Sequence, residues 1–123
     1  MIKRLMENRK FSIAFVIIIA IEIFLVSSIP GGPPSKIPDF SLLYHFVAFF
    51  LFNFFLLTTF RIEEKITSKK MILVLIISLV YAVLDELHQF FVPLRTPDLV
   101  DFLVDSAGIF LSTFAYKYYS NKK

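Results

Sequence analysis

The sequence has no cysteine in its 123 residues, and only 19% of them are charged. Without cysteine there is no disulfide framework, no thiolate nucleophile and no cysteine-ligated metal. The shortage of charge, set beside 57% hydrophobic residues, excludes a polar coiled coil, a disordered chain and a basic nucleic-acid arm. Familiar catalytic signatures are missing as well: there is no P-loop, no G-x-S-x-G and no H-E-x-x-H. The length allows a single domain, residues 1–123.

What is present is apolar sequence in blocks. Phe11 to Ser28 carries one charge, Glu22, and a second block over 40–60 has His45 and Asn53 as its most polar members. The third block covers 71–92 and ends with Asp85, Glu86, His88 and Gln89, while the fourth covers 99–119 with Asp101 and Asp105 near its start. A hydrocarbon core about 30 Å thick takes about 20 residues of helix. Backbone groups in lipid must pair within their own segment, so each block is expected to be an α-helix. None of the four has the polar face of a water-facing helix. The expected fold class is therefore all-α, a four-helix transmembrane bundle whose main partner is the lipid bilayer. Val26-Ser27-Ser28 resembles a signal-peptide cleavage site. The preceding stretch exceeds the usual apolar region of about 7–15 residues and contains Glu22, so it is read as a retained span.

The linkers differ in character. Residues 29–39 read IPGGPPSKIPD, a turn-rich loop; 61–70 read RIEEKITSKK; and 93–98 read PLRTPD, with Asp98 as an N-cap candidate for the fourth helix. Basic residues at 3, 4, 9 and 10, at 61, 65, 69 and 70, and at 117, 122 and 123 lie on one side of the expected topology. Only Lys36 and Arg95 lie opposite. The positive-inside rule then puts both termini in the cytoplasm and the first and third loops outside. The net charge of +3 reflects this topology, and no nucleic-acid partner is expected. Tyr116, Tyr118 and Tyr119 fit an aromatic belt at the inner interface.

An ionisable side chain at the centre of a span costs about 2.5–3.5 kcal/mol for Arg, Lys or Asp on insertion scales, so the positions of such groups carry information. Under this topology Glu22, His45, Asp85, Glu86, His88, Asp101 and Asp105 all fall near the outer ends of their helices. At 100° per residue Asp85, His88 and Gln89 share one side of the third helix, with Glu86 on its flank. Asp101, Asp105, Gly108 and Ser112 form an i, i+4, i+7, i+11 stripe on the fourth, whose small residues permit close helix approach. The two polar faces are expected to meet across the PLRTPD turn. The inferred result is an outward-opening polar pocket lined by Glu22, His45, Asp85, Glu86, His88, Gln89, Asp101 and Asp105, with Arg95 at its rim. Asn53 and the phenylalanines are read as core or lipid-facing material.

The stretch YAVLDELHQFFVPLRTPDLVDFLVDSAGIFL, together with HFVAFFLF, resembles the VanZ-like membrane protein family. The carriers are Asp85, Glu86, His88, Gln89, Pro93, Arg95, Asp98, Asp101, Asp105 and Gly108, with the 27–30 exit from the first helix and His45-Phe46 opening the second. The sequence departs from the pattern at Leu94, where a glycine is usual, and at Tyr44, where a lysine is frequent. The resemblance implies a small integral membrane protein of the cell envelope. It also implies a link to antibiotic resistance, since the founding member is associated with low-level resistance to the glycopeptide teicoplanin.

Three functional readings stay open. In the first, the pocket binds or handles an outer-leaflet amphiphile, a cell-envelope precursor or a lipophilic glycopeptide. In the second, the protein is a membrane-embedded hydrolase or transferase acting on a lipid-linked substrate, with Glu86, Asp85, His88 and Asp105 as catalytic candidates. Its cofactor would be a divalent metal held by His45 and His88 with carboxylates such as Asp85 and Glu86, since imidazole and carboxylate suit several such ions. In the third, the polar groups only bind the helices to one another or to a partner, including a second copy in a homo-oligomer.

Overall fold

In a hydrocarbon environment the backbone must satisfy its own hydrogen bonds, and each apolar block does so as one helix. The computed structural model describes residues 9–28, 41–60, 66–93 and 99–121. They form α1 Arg9–Ser27, α2 Ser41–Phe60, α3 Ser68–Phe90 and α4 Leu99–Asn121, with no strand among the described residues. All four are long and apolar enough to cross a membrane. The boundaries follow the blocks closely. α3 begins earlier than expected because Thr67, with extended backbone, caps it and accepts a hydrogen bond from the Lys70 N–H at 3.2 Å. The N-cap expected at Asp98 lies outside the described residues.

α2 is the central helix, in contact with α1, α3 and α4. α1 and α4 do not touch among the described residues, so the order around the bundle is α1, α2, α4, α3. The core comes largely from α2, through Ala48, Phe49, Phe52, Leu56 and Leu57, joined by Ile23, Val74, Ala82, Ile109 and Tyr116. Large apolar side chains also point outward from every helix, among them Ile18, Leu43, Ile72, Leu84, Leu103 and Phe114. A soluble monomer rarely exposes contiguous apolar surface beyond a few hundred Å². A face this apolar on all sides suits lipid.

Polar side chains turn inward instead. The Thr58 and Ser12 hydroxyls pair at 2.6 Å between α2 and α1. Deeper in the bundle Asn53 is wholly buried, and its amide nitrogen lies within 3.3 Å of Ile109 O, Ser112 Oγ and Thr113 Oγ1. Ser78 donates to its amide oxygen at 2.8 Å. Asn53 thus ties α2 to α3 and α4, a larger role than filling core. Tyr116 departs from the expected interfacial belt: it is buried and packs edge-on against Phe54, with 5.6 Å between ring centroids. Tyr118 stays exposed.

The small-residue stripe of α4 runs against α2 rather than chiefly against α3. Gly108 shows why. A Cβ built there would stand 2.6 Å from the Phe46 carbonyl oxygen and 3.3 Å from the Phe50 nitrogen, both of them backbone atoms. The two helices are as close as a missing side chain allows, and a backbone carbonyl cannot step aside as a flexible side chain could. Gly108→Ala should force α2 and α4 apart at a cost of about 1–3 kcal/mol, typical of overpacking. Thermal unfolding in one fixed detergent checks this, and a melting temperature equal to wild type would contradict the close approach.

Candidate functional site

Three ionisable groups from three helices converge near one end of the bundle. His45 lies early in α2, Asp85 late in α3 and Asp105 early in α4, each about 6–9 Å from its helix end at 1.5 Å rise per residue. His45 Nδ1 donates to Asp105 Oδ1 at 3.0 Å and stands 3.9 Å from Asp85 Oδ2. The three residues are 3%, 4% and 0% exposed, so this is a closed group within the protein rather than a surface ion pair.

Neighbouring helices hold the group in place. The Ser27 hydroxyl, at the C-terminal end of α1, donates to Asp85 Oδ1. Gln89, one turn further along α3, donates its amide to Asp85 Oδ2 at 3.3 Å. Phe49, one turn after His45, lies nearly parallel to the imidazole with 6.4 Å between centroids. All four helices therefore contribute to one locus. Asp101, half-buried one turn before Asp105, is close enough for its charge to act on both His45 and Asp105.

Other expected site residues take different positions. His88 stacks on Phe24 at 4.5 Å and directs Nε2 at the Ser28 hydroxyl, 2.8 Å away. Ser28 in turn donates to Phe24 O at 2.8 Å, so the imidazole N–H is the donor in the histidine contact. Glu22 is exposed on α1 and accepts from the Tyr44 hydroxyl at 3.4 Å. Glu86 is half-buried on the flank of α3. Arg95 lies outside the described residues, as do residues 29–40 and 94–98. Of the four foremost metal-ligand candidates, His45 and Asp85 are together. Their third partner is Asp105 rather than His88 or Glu86.

Two charge distributions follow. Arg9, Lys10, Lys69, Lys70 and Lys117 lie at the end of the bundle opposite the His45 group. At the group itself, one imidazole faces two carboxylates, and Asp105 Oδ2 is buried without a hydrogen-bond partner among the described residues. An ion moved into a low-dielectric interior loses several kcal/mol of solvation unless a counter-charge or proton restores it. Even with His45 protonated, one negative charge is left over when both carboxylates are ionised. The Asn53 cluster has no such excess.

The serines were the residues sequence reasoning missed at this locus. Ser27 and Ser28 signal themselves only weakly, as hydroxyls at the end of an apolar run whose depth matches Asp85 and His88 after α1 and α3 are aligned. A family model described as VanZ/LLP1 matches residues 2–120, nearly the whole chain. No curated protein and no solved structure matches it.

The pairing of His45 with Asp105 should be visible as an energetic coupling. His45→Ala and Asp105→Ala each remove one partner and should destabilise the protein, while the double variant loses less than the two single losses combined. A coupling of about 0.5–3 kcal/mol is expected for contacting residues in one network. Strict additivity in a double-mutant cycle would contradict it.

Proposed function

We propose, from the premise that the chain belongs to the VanZ/LLP1 family, that this multi-pass membrane protein handles a cation-bearing amphiphile at the outer leaflet. The His45–Asp85–Asp105 end would face outside and the lysine-rich end the cytoplasm, following the positive-inside rule. The observation that carries the reading is the excess of carboxylate over imidazole, buried just beneath one end of an otherwise apolar bundle. Intramembrane ionisable groups of this kind mark ligand or ion pathways by default, because their cost is not repaid by packing.

Glu86, Asp101 and the His45 group would attract the amine or other cationic part of the amphiphile, and His88, Gln89 and Glu22 would line its approach. Arg95, between α3 and α4 in the sequence, would meet an anionic group on the same molecule. The exposed apolar faces of the helices would accompany its hydrocarbon portion. Lipid headgroups, envelope precursors and lipophilic glycopeptides share this chemistry. The enzyme reading keeps one supporting observation, the contact of an imidazole with buried carboxylates, a pattern that recurs at sites of proton transfer. Release of phosphate or of a cleaved headgroup from a lipid-linked substrate would favour it over simple binding.

The test uses the protein in nanodiscs, with teicoplanin and with amine-bearing phospholipid as separate probes. Arg95→Ala and Glu86→Ala should each weaken binding of at least one probe about tenfold, corresponding to about 1.4 kcal/mol. Unchanged affinity for both probes in both variants would defeat the reading. Because the chain has no cysteine, orientation can be read from single replacements. Lys36→Cys should react with a membrane-impermeant maleimide in intact cells, and Lys69→Cys should be protected; the opposite pattern would place the site inside.

A further inference from the structure

We propose that His45, Asp85 and Asp105 form a binding site for one divalent transition-metal ion, with Zn²⁺ the best-matched occupant. The donor set is one imidazole nitrogen and two carboxylate groups, drawn from α2, α3 and α4, and a ligand atom from each lies within 4.8 Å of the other two. Metal–ligand bonds of about 2.0–2.2 Å put neighbouring ligand atoms about 3.0–3.5 Å apart. The His45–Asp105 separation of 3.0 Å already lies in that range, while Asp85, 3.9 Å from His45 and within 4.8 Å of Asp105, must move inward on binding.

A second observation points the same way. Asp105 is wholly buried, yet its Oδ2 has no hydrogen-bond partner among the described residues. A buried carboxylate oxygen left without a donor is costly, and a cation removes that cost. Charge also fits, because a dication offsets the two carboxylates and displaces the Nδ1 proton that His45 otherwise donates to Asp105, leaving neutral imidazole as the third ligand. Ser27 holds Asp85 through Oδ1, the oxygen turned away from His45, as groups that orient a ligating carboxylate do, while Gln89 donates to Oδ2 itself. Imidazole with carboxylate suits zinc, whereas magnesium prefers an all-oxygen shell and keeps its waters. His88 does not belong to this set, since its Nε2 is bound to Ser28.

The site coincides with the acidic cluster of the proposed amphiphile reading, and zinc and an amine would compete for its two carboxylates; metal binding is measured with no amphiphile present, so either idea can fail alone. The experiment strips purified protein with a chelator, re-equilibrates it with ZnCl₂ or MgCl₂, and follows uptake by calorimetry and elemental analysis. One zinc per chain is expected, bound at least tenfold tighter than magnesium and accompanied by a higher melting temperature. His45→Ala and Asp105→Asn should weaken zinc binding at least tenfold and Ser27→Ala by about 10–100-fold, while His88→Ala should leave it unchanged. X-ray absorption of the wild-type zinc complex should show one imidazole with oxygen ligands, a readout independent of whether any variant folds. No saturable zinc uptake by wild type, two imidazoles on the metal, or full zinc affinity in Asp105→Asn would each overturn the proposal.

Discussion

One imidazole buried between two carboxylates, inside a bundle whose outer surface is apolar, is the constraint to which most of this structure answers. Lipid on the outside supplies no solvation to His45, Asp85 or Asp105, and it gives helices little hydrophobic reason to associate. The polar groups must therefore find one another, and in doing so they decide which helices meet. Ser27 brings α1 to α3, His45 brings α2 to α4, and Asp85 stands close enough to His45 to join the two pairs. Hydrogen bonds of this kind average about 0.6 kcal/mol in membrane proteins and reach about 1.7. No single one holds the bundle together, but a set shared by all four helices selects one arrangement.

Steric fit makes that set attainable. Gly108 lies one turn beyond Asp105 on α4 and leaves no side chain against the α2 backbone at Phe46. Phe46 follows His45, so the close approach and the ion pair occupy the same stretch of both helices. Separating the backbones by the width of a methyl group would lengthen the 3.0 Å His45–Asp105 contact as well. Packing and electrostatics are coupled here by geometry, and a change in either reaches the other.

The two buried polar centres differ in a way that bears on their roles. Asn53 is neutral, and both ends of its amide have partners, among them Ser78, Ser112 and Thr113. Such a centre is complete and needs nothing further. The His45 group carries more acid than base, and Asp105 keeps a carboxylate oxygen with no hydrogen-bond partner among the described residues. Incomplete satisfaction at one end of the bundle stands beside full satisfaction in its middle, and this difference is what the proposed binding role of the His45 group rests on. Arg9 and the described lysines at the opposite end give the molecule a polarity along its axis that suits an oriented role in a membrane.

Much of this could be read along the chain alone. Hydropathy is a property of consecutive residues, so the number of helices, their approximate ends and their suitability for a bilayer followed from the blocks themselves. Alternating direction then placed Glu22, His45, Asp85, His88 and Asp105 toward the same end, since depth along a span is only a count of residues. What no count supplies is which face of a helix meets which neighbour. The α4 stripe turned to α2, Tyr116 turned into the core, His88 turned to Ser28 and Asn53 became a junction, all because helix neighbours are chosen by the packing of whole surfaces. Position along the membrane axis is written locally in the sequence, whereas rotation about each helix and the choice of partners are settled only when all four surfaces are fitted at once.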